Sequence, residues 1–305
     1  LSAYLTILGY NSAIPTTKSF PTSQFLEMSD RCFLIDCGEG TQVQLRRAKV
    51  KFSKINNIFI SHLHGDHCFG LPGLVSSFSL LGRTNDLNIF GPKGIKKMLE
   101  IIFRVNETDN HGFKIFYHEL QSNESQKIFD DEKLEVWTIP LNHRIYCNGY
   151  LFKEKIKERV LNIEEISKYS EIQKCDYHNF KNGKDFILSD GYILKNELLT
   201  MEPKVSLSYA FCSDTRFKED IVPIIKNVDL LYHEATFLDD FKKKANLTGH
   251  STAKEAAIIA QKAGVKKLIL GHFSNRYENL EVFLDESRKY FPNTFLPEVL
   301  QCVEI

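Results

Sequence analysis

The sequence lacks any apolar run near the ~20 residues that a membrane-spanning helix needs. That excludes a helical span, and the chain is expected to have no membrane partner. It lacks the charged region and following apolar region of a secretory signal at its start. It also lacks a CxxC pair: the seven cysteines, at 32, 37, 68, 147, 175, 212 and 302, are odd in number and scattered. A disulfide framework is thereby excluded, and the cysteines read as reduced thiols of a cytoplasmic protein. Net charge is absent too, with 39 basic against 39 acidic residues. No global field draws a polyanion, so any nucleic-acid contact must come from local patches. There is no internal repeat and no low-complexity segment. What remains is an ordinary globular composition, 43% hydrophobic over 305 residues, read as a single domain spanning 1–305.

Against that plain background one segment stands out, Ser61-His62-Leu63-His64-Gly65-Asp66-His67. It follows the apolar β-type residues Ile58, Phe59 and Ile60. His62 and His64 are two positions apart, so a short turn can aim both imidazoles at one point. Gly65 frees the backbone to reverse before Asp66 and His67. Imidazole with carboxylate suits Zn²⁺, and also Mn²⁺ or Fe. One ion takes about four ligands, so two ions need donors from elsewhere.

Functional residues in layered α/β folds cluster on loops at strand ends. A search for His or Asp just after β-type runs gives three more donors. Leu134–Ile139 is followed by His143, Ser206–Phe211 by Asp214, and Lys267–Leu270 by His272. We expect His62, His64 and His143 on one ion and Asp66, His67 and His272 on the other, with Asp214 bridging. A bridging carboxylate offsets the repulsion of two cations held ~3.5–4 Å apart.

Along the chain, β and α signals alternate. Strands are expected at 3–8, 25–28 and 32–36, the latter two joined by a turn at Ser29-Asp30-Arg31, then at 57–61, 87–90, 113–118 and 134–139. Helices are expected at 41–48, 71–81 and 95–104. Residues 152–195 are more polar, with one weakly helical piece and a turn-rich β element, and read as an excursion without a core of its own. The alternation then resumes with strands at 206–211, 229–233 and 266–270 and helices at 218–226, 252–263 and 279–289. Asp36 and Glu39 stand before a helix, where carboxylates commonly cap backbone donors. Cys68 is expected to line the metal pocket. His111, His118 and His178 follow no motif and read as surface or packing residues. Basic patches lie at Arg46-Arg47 with Lys49 and Lys51, at Lys153–Arg159, and at Lys242–Lys244.

The donor cluster and the order of its downstream partners resemble the metallo-β-lactamase superfamily. The likeness sharpens beyond the first motif. Leu8-Gly9 and Pro15, then Asp36-Cys37-Gly38-Glu39-Gly40-Thr41-Gln42, then His62–His67 followed by Gly70-Leu71-Pro72-Gly73-Leu74, are similar to the ribonuclease Z (tRNA 3′-endonuclease) family. Ser213-Asp214-Thr215-Arg216, His233-Glu234-Ala235-Thr236 and His250-Ser251-Thr252 are as well, and the last two mark the tRNA-processing branch. The resemblance implies an α/β fold, an αββα sandwich of two mixed sheets with outer helices. It implies two Zn²⁺ per chain, no organic cofactor, precursor tRNA as substrate and a homodimer. It makes 152–195 an inserted arm that clamps tRNA bound at the partner's active site. The family's Gly-Pro pair near the arm tip is missing here, as is its second opening glycine.

The implied reaction is phosphodiester hydrolysis that removes the 3′ trailer and leaves a 3′-hydroxyl. In it Asp66 orients the nucleophile, His250 is the general acid, and Glu234 holds the imidazole of His250. Ser251 or Thr252 would cap the helix that follows. Ser213 and Thr215 are expected to support Asp214, and His233 to point away from the site. Arg46, Arg47, Arg216, Lys153, Lys155, Lys157 and Arg159 are candidate RNA contacts. The alternatives are a dinuclear hydrolase of small phosphodiesters or sulfate esters, and an idle RNA-binding relative.

Overall fold

The computed structural model describes residues 3–17, 19–107 and 112–305. By internal contacts these fall into two units, one of residues 1–153 and 207–305, the other Glu154–Ser206.

The larger unit holds two seven-stranded sheets. The first runs, in spatial order, Cys302–Glu304, Tyr4–Gly9, Ser23–Met28, Arg31–Ile35, Asn57–Phe59, Leu87–Pro92, Ile115–Leu120. The second runs Thr294–Phe295, Lys267–Gly271, Leu230–Glu234, Ser208–Cys212, Asn148–Glu154, Leu134–Pro140, Lys127–Asp130. Both are mixed. The strands from Arg31–Ile35 to Ile115–Leu120 are mutually parallel, as are those from Ser208–Cys212 to Thr294–Phe295.

Side-chain alternation along these strands builds three apolar layers. Phe33 and Ile35 join Tyr209, Phe211, Leu230 and Tyr232 in the layer between the sheets. Leu34 turns outward to Leu71, Leu74, Val75 and Leu99 of flanking helices. Ala210, Cys212 and Leu231 turn outward to Ala253, Ala256, Ala257 and Ala260. The central strands are therefore buried on both faces, which explains runs such as Phe33, Leu34 and Ile35 that are apolar without alternation.

Local chemistry accounts for most elements. Ser29 and Asp30 take φ of 51° and 62°, as a tight hairpin turn between right-twisted strands requires. Helix Ala253–Ala263 opens on a capping box, with Thr252 accepting from the Glu255 amide and Glu255 reaching back to Thr252. One expected helix is corrected. Residues 218–226 hold only the 3₁₀ turn Glu219–Ile221, because Pro223 removes a backbone donor and blocks helical continuation. The strands Lys127–Asp130, Asn148–Glu154 and Cys302–Glu304 and the helix Lys242–Thr248 were not anticipated. Among the described residues no helix is long and apolar enough to cross a membrane.

The smaller unit begins and ends later than the expected excursion and carries its own apolar cluster. Ile166, Phe180, Leu194 and Leu199 are buried there, with Leu161, Tyr169, Tyr177 and Phe186 packed against them. Val160–Leu161 pairs with Thr200–Met201, and Phe186–Ile187 with Ile193–Leu194. The expectation of no separate core is thus corrected. The apolar residues are spread too thinly for a local periodic signal, and only the chain's return at Thr200–Met201 collects them.

Candidate metal centre

The sheets present the carboxyl ends of their parallel strands together, the usual place for a ligand crevice. Asp36 follows strand Arg31–Ile35, Ser61 and His62 follow Asn57–Phe59, and Asp214 follows Ser208–Cys212. Glu234 ends its strand, His272 follows Lys267–Gly271, and His143 lies just beyond Leu134–Pro140. Two glycines let the first loops close on one another. A Cβ on Gly70 would meet the Gly38 carbonyl oxygen at 2.2 Å, and one on Gly38 would meet the Asp66 oxygen at 2.4 Å. Cys37 N–H donates to the His67 carbonyl (2.8 Å) and Gly70 N–H to that of Cys37 (2.9 Å), so the Asp36 and His67 loops are laced together.

All seven expected donors converge, in two groups that meet at Asp214. His62, His64, His143 and Asp214 form one potential ion site, and Asp66, His67 and His272 another. Oδ2 of Asp214 faces the first group, 3.6 Å from His62 Nε2 and 3.8 Å from His143 Nε2. Oδ1 faces the second, 3.4 Å from His67 Nε2 and 3.2 Å from His272 Nε2. Asp66 Oδ2 lies 3.5 Å from His67 Nε2 and 3.4 Å from His272 Nε2. A tetrahedral ion with ~2.0–2.1 Å bonds holds its donors about 3.3 Å apart, so these separations match one coordination shell on each side.

Proton bookkeeping tests the fit further. His67 Nδ1 is 2.7 Å from Asp36 Oδ2, and His143 Nδ1 is 2.7 Å from the Gly249 carbonyl. Both partners only accept, so both Nδ1 atoms carry the hydrogen. Ser61 Oγ donates to Asp36 Oδ2 (2.8 Å) and can accept from His62 Nδ1 at 3.0 Å. Thr236 Oγ1 donates to Glu234 Oε2 (2.9 Å) and can accept from His272 Nδ1 at 3.0 Å. To ligate a metal ion these rings must be neutral, and the partners on their outer nitrogens then leave the Nε2 lone pairs facing the centre. His67 and His272 then face each other, Nε2 to Nε2, at 3.3 Å. Two lone pairs at that distance repel unless a proton or a metal ion lies between them, and with the donor separations above the set fits metal ions. Burial works against charge on Asp66 and Asp214, yet the positive charge that the surrounding imidazoles take up when no metal ion is bound outweighs it and holds both carboxylates well below the usual range.

Glu234 is the hub beside this centre. Its Oε1 accepts from the amides of Thr215 and Ser251, both at 3.0 Å, and lies 3.0 Å from His250 Nδ1. Its Oε2 accepts from Thr236 N and Oγ1. Burial pushes the His250 pKa down, but Glu234 more than offsets this and the net shift is upward. His250 also groups with Asp214 and His272 as a possible ligand set. The His250 atom nearest Asp214 is Nδ1, at 3.8 Å, and Glu234 already engages it. That leaves Nε2 for chemistry in the cavity.

Some readings change. Asp36 is no helix cap: it accepts from Ser61 N and Oγ and from His67, wholly buried. Helix Thr41–Arg47 has Gly40 at its cap position with no side-chain cap bond, and Glu39 lines the cavity. Strand order hid the Asp36 role, since Asp36 reaches His67 only because Arg31–Ile35 and Asn57–Phe59 pair side by side. Thr252, as one alternative held, caps its helix. His233 turns away, its Nδ1 on the Glu234 carbonyl. Cys68 sits against the His64 carbonyl, whereas the unanticipated Cys147 thiol is 3.7 Å from His62 Nδ1. His118 stacks on Phe90 and His178 contacts Asn182; His111 lies outside the described residues.

The cavity over the centre measures about 490 Å³ and is walled by His64, Asp66, Phe69, Phe237, His250 and His272 among others. Arg144 lines it and was missed, although it directly follows His143. The expected RNA contacts Arg46 and Arg47 do not line it: Arg46 lies over the Phe52 ring and Arg47 donates to Gln44. Lys157 pairs with Glu154 and Arg159 with Glu202 in the smaller unit.

Known proteins are similar to this chain over nearly its full length. Ribonuclease Z of Bacteroides thetaiotaomicron is 46% identical over 99% of this chain and 95% of its own length. The chain belongs to the ribonuclease Z family. Human tRNase Z, short form, is 27% identical, covers 98% of each chain and superposes with a TM-score of 0.72. The metallo-β-lactamase fold protein YhfI of Bacillus subtilis is 17% identical over the full length of both chains, with a TM-score of 0.70, and shares the fold alone. Residues 3–157 also match the family model described as anti-Pycsar protein Apyc1, a match that spans the His62–His67 cluster. As a ribonuclease Z family member the chain is an αββα sandwich of the metallo-β-lactamase type, as the motifs implied.

Proposed function

We propose that this chain removes the 3′ trailer of precursor tRNA by phosphodiester hydrolysis, leaving a 3′-hydroxyl, with two Zn²⁺ held by His62, His64, His143, Asp66, His67, His272 and the bridging Asp214. The observation that carries the reading is Asp214, whose two oxygens address two separate donor groups beside His250 on Glu234. When bound, such ions lower the pKa of water and offset phosphate charge. The protein's own groups do the rest. Asp66 Oδ2 is pinned by the Ala13 amide at 2.8 Å, which leaves Oδ1 to orient the attacking water and receive its proton. Glu234 fixes the His250 ring and favours its protonated form, so Nε2–H can donate to the departing ribose 3′-oxygen. That oxygen leaves poorly without a proton.

The same reading makes Glu154–Ser206 the arm that binds tRNA away from the reacting bond, with Lys153, Lys155, Lys157 and Arg159 at its base as RNA contacts. It makes the protein a cytoplasmic homodimer. Seven unpaired cysteines accord with a reducing compartment. Leu80, Leu81, Ile101 and Val105, on or just after two adjacent helices, expose more than half of their surface, as an apolar protein interface would.

The test is incubation of the zinc-loaded protein with 3′-extended precursor tRNA and mapping of the ends. We expect one cut after the acceptor stem, a 3′-hydroxyl on the tRNA, and loss of cutting with a chelator. Hydrolysis confined to small phosphodiesters, or tRNA binding with no cut, would replace this reading with one of its alternatives.

A further inference from the structure

Arg144 is the only arginine or lysine among the described residues lining the central cavity. Among the described residues its guanidinium meets no carboxylate and no hydrogen-bond acceptor. A second, open cleft of about 570 Å³ is lined by Arg216, Lys242, Lys243, Asn246 and Leu247. The two clefts share one wall, since helix Lys242–Thr248 supplies the second and Thr248 and His250 line the first.

That wall is tied together. Arg216 N–H donates to the Asn142 carbonyl (2.8 Å), and its Nε donates to the Asn246 carbonyl (2.8 Å). Asn142 N–H donates to Thr215 Oγ1 (3.0 Å), and His143 Nδ1–H to the Gly249 carbonyl. Most of its charges lack an acidic partner among the described residues: the Arg216 guanidinium donates to neutral oxygens and the Lys243 ammonium meets no carboxylate, while Lys242 is paired to Glu255 at 3.1 Å. In the smaller unit, by comparison, five cations, Lys157, Arg159, Lys168, Lys181 and Lys195, meet carboxylates. In a chain of zero net charge, cations without acidic partners among the described residues, lining two clefts that share a wall, fit successive phosphates of one strand.

We propose that Arg144, Arg216 and Lys243 form a phosphate track for the acceptor-end strand of tRNA on the 5′ side of the cut, and not for the trailer. The inference rests on the ribonuclease reading of the site. Its polarity comes from His250, which stands at the inner end of the same wall. The oxygen that His250 protonates stays on the nucleotide 5′ of the scissile bond. The strand running from that nucleotide therefore lies on the His250 side.

The test compares wild type with the double variant R144Q/K243Q, whose native side chains make no hydrogen bond or ion pair among the described residues. Binding is measured for mature tRNA and for precursors with short and long trailers, across a salt series, with metal content checked for each protein. We expect affinity for mature tRNA to fall about tenfold near physiological salt, and the slope of log affinity against log salt to shrink by roughly 0.7–0.9 per lost charge. The loss should be equal for both trailers. R216Q should add to it and R216K should largely restore it. A loss that grows with trailer length while mature tRNA binds normally would assign the track to the trailer and overturn the polarity. Unchanged affinity and slope for every RNA would overturn the track itself. Wild type that neither binds nor cuts precursor tRNA would instead overturn the ribonuclease reading.

Discussion

Asp36 Oδ2 lies 2.7 Å from His67 Nδ1, and both side chains are wholly buried. The carboxylate decides which nitrogen of His67 carries hydrogen and so which one faces the metal centre. Partners of this kind typically change metal affinity by ~10–100-fold. Asp36→Ala should weaken binding of the ion shared by Asp66, His67 and His272 by that factor, and leave the other ion nearly unaffected. Competitive chelator titration reads the two affinities. Equal weakening of both, or of neither, would remove Asp36 from this role.

Asp214 addresses both donor groups, so the two ions should depend on it together. Elemental analysis of the wild type should return close to two equivalents per chain. Asp214→Ala should lose most of both. A fully active wild type holding a single equivalent would end the bridging assignment.

His250 should act on the leaving group and not on the metals. His250→Ala should keep both ions and cost about 10²–10⁴-fold in turnover on precursor tRNA. The defect should shrink on a nitrophenyl phosphodiester, whose leaving group departs unprotonated. A mutant that loses metal, or is equally slow on the activated ester, would make His250 a ligand or a structural residue.

Glu234 binds more than His250, and its removal should therefore differ in kind. Glu234→Ala strands the amides of Thr215, Ser251 and Thr236, so denaturant unfolding should report a loss on the order of 3 kcal/mol. Glu234→Gln keeps the shape and should show the His250→Ala kinetic pattern more weakly. Identical stability of Glu234→Ala and wild type would show that the hub holds nothing in place.

The smaller unit should be removable. Lys153 and Ser208 are directly paired across antiparallel strands, so a two-residue Asn-Gly turn can replace 154–207 as a hairpin. The shortened protein should fold and hydrolyse a small phosphodiester, while precursor tRNA cleavage collapses. Equal loss on both substrates would mean the segment serves the centre itself. Sedimentation of the full chain at micromolar concentration should give a dimer; an active monomer would contradict the homodimer.

The sequence alone determined the candidate metal donors that the fold gathers, because each chemical signal was local. Four of them crowd into His62–His67, and the rest stand just past apolar runs whose β character is plain. It also determined the layered class, since strands buried on both faces read as continuous apolar segments between helical ones. Tertiary structure decided what those donors lean on. Asp36 serves His67 only because two parallel strands end side by side, and Glu234 collects groups from three separate loops. It decided that Arg144 lines the cavity with no ionic partner among the described residues, and that polar-looking residues 154–206 share an apolar cluster. Such relations join residues far apart in the chain, and no local periodicity or spacing records a partner that only the fold brings near.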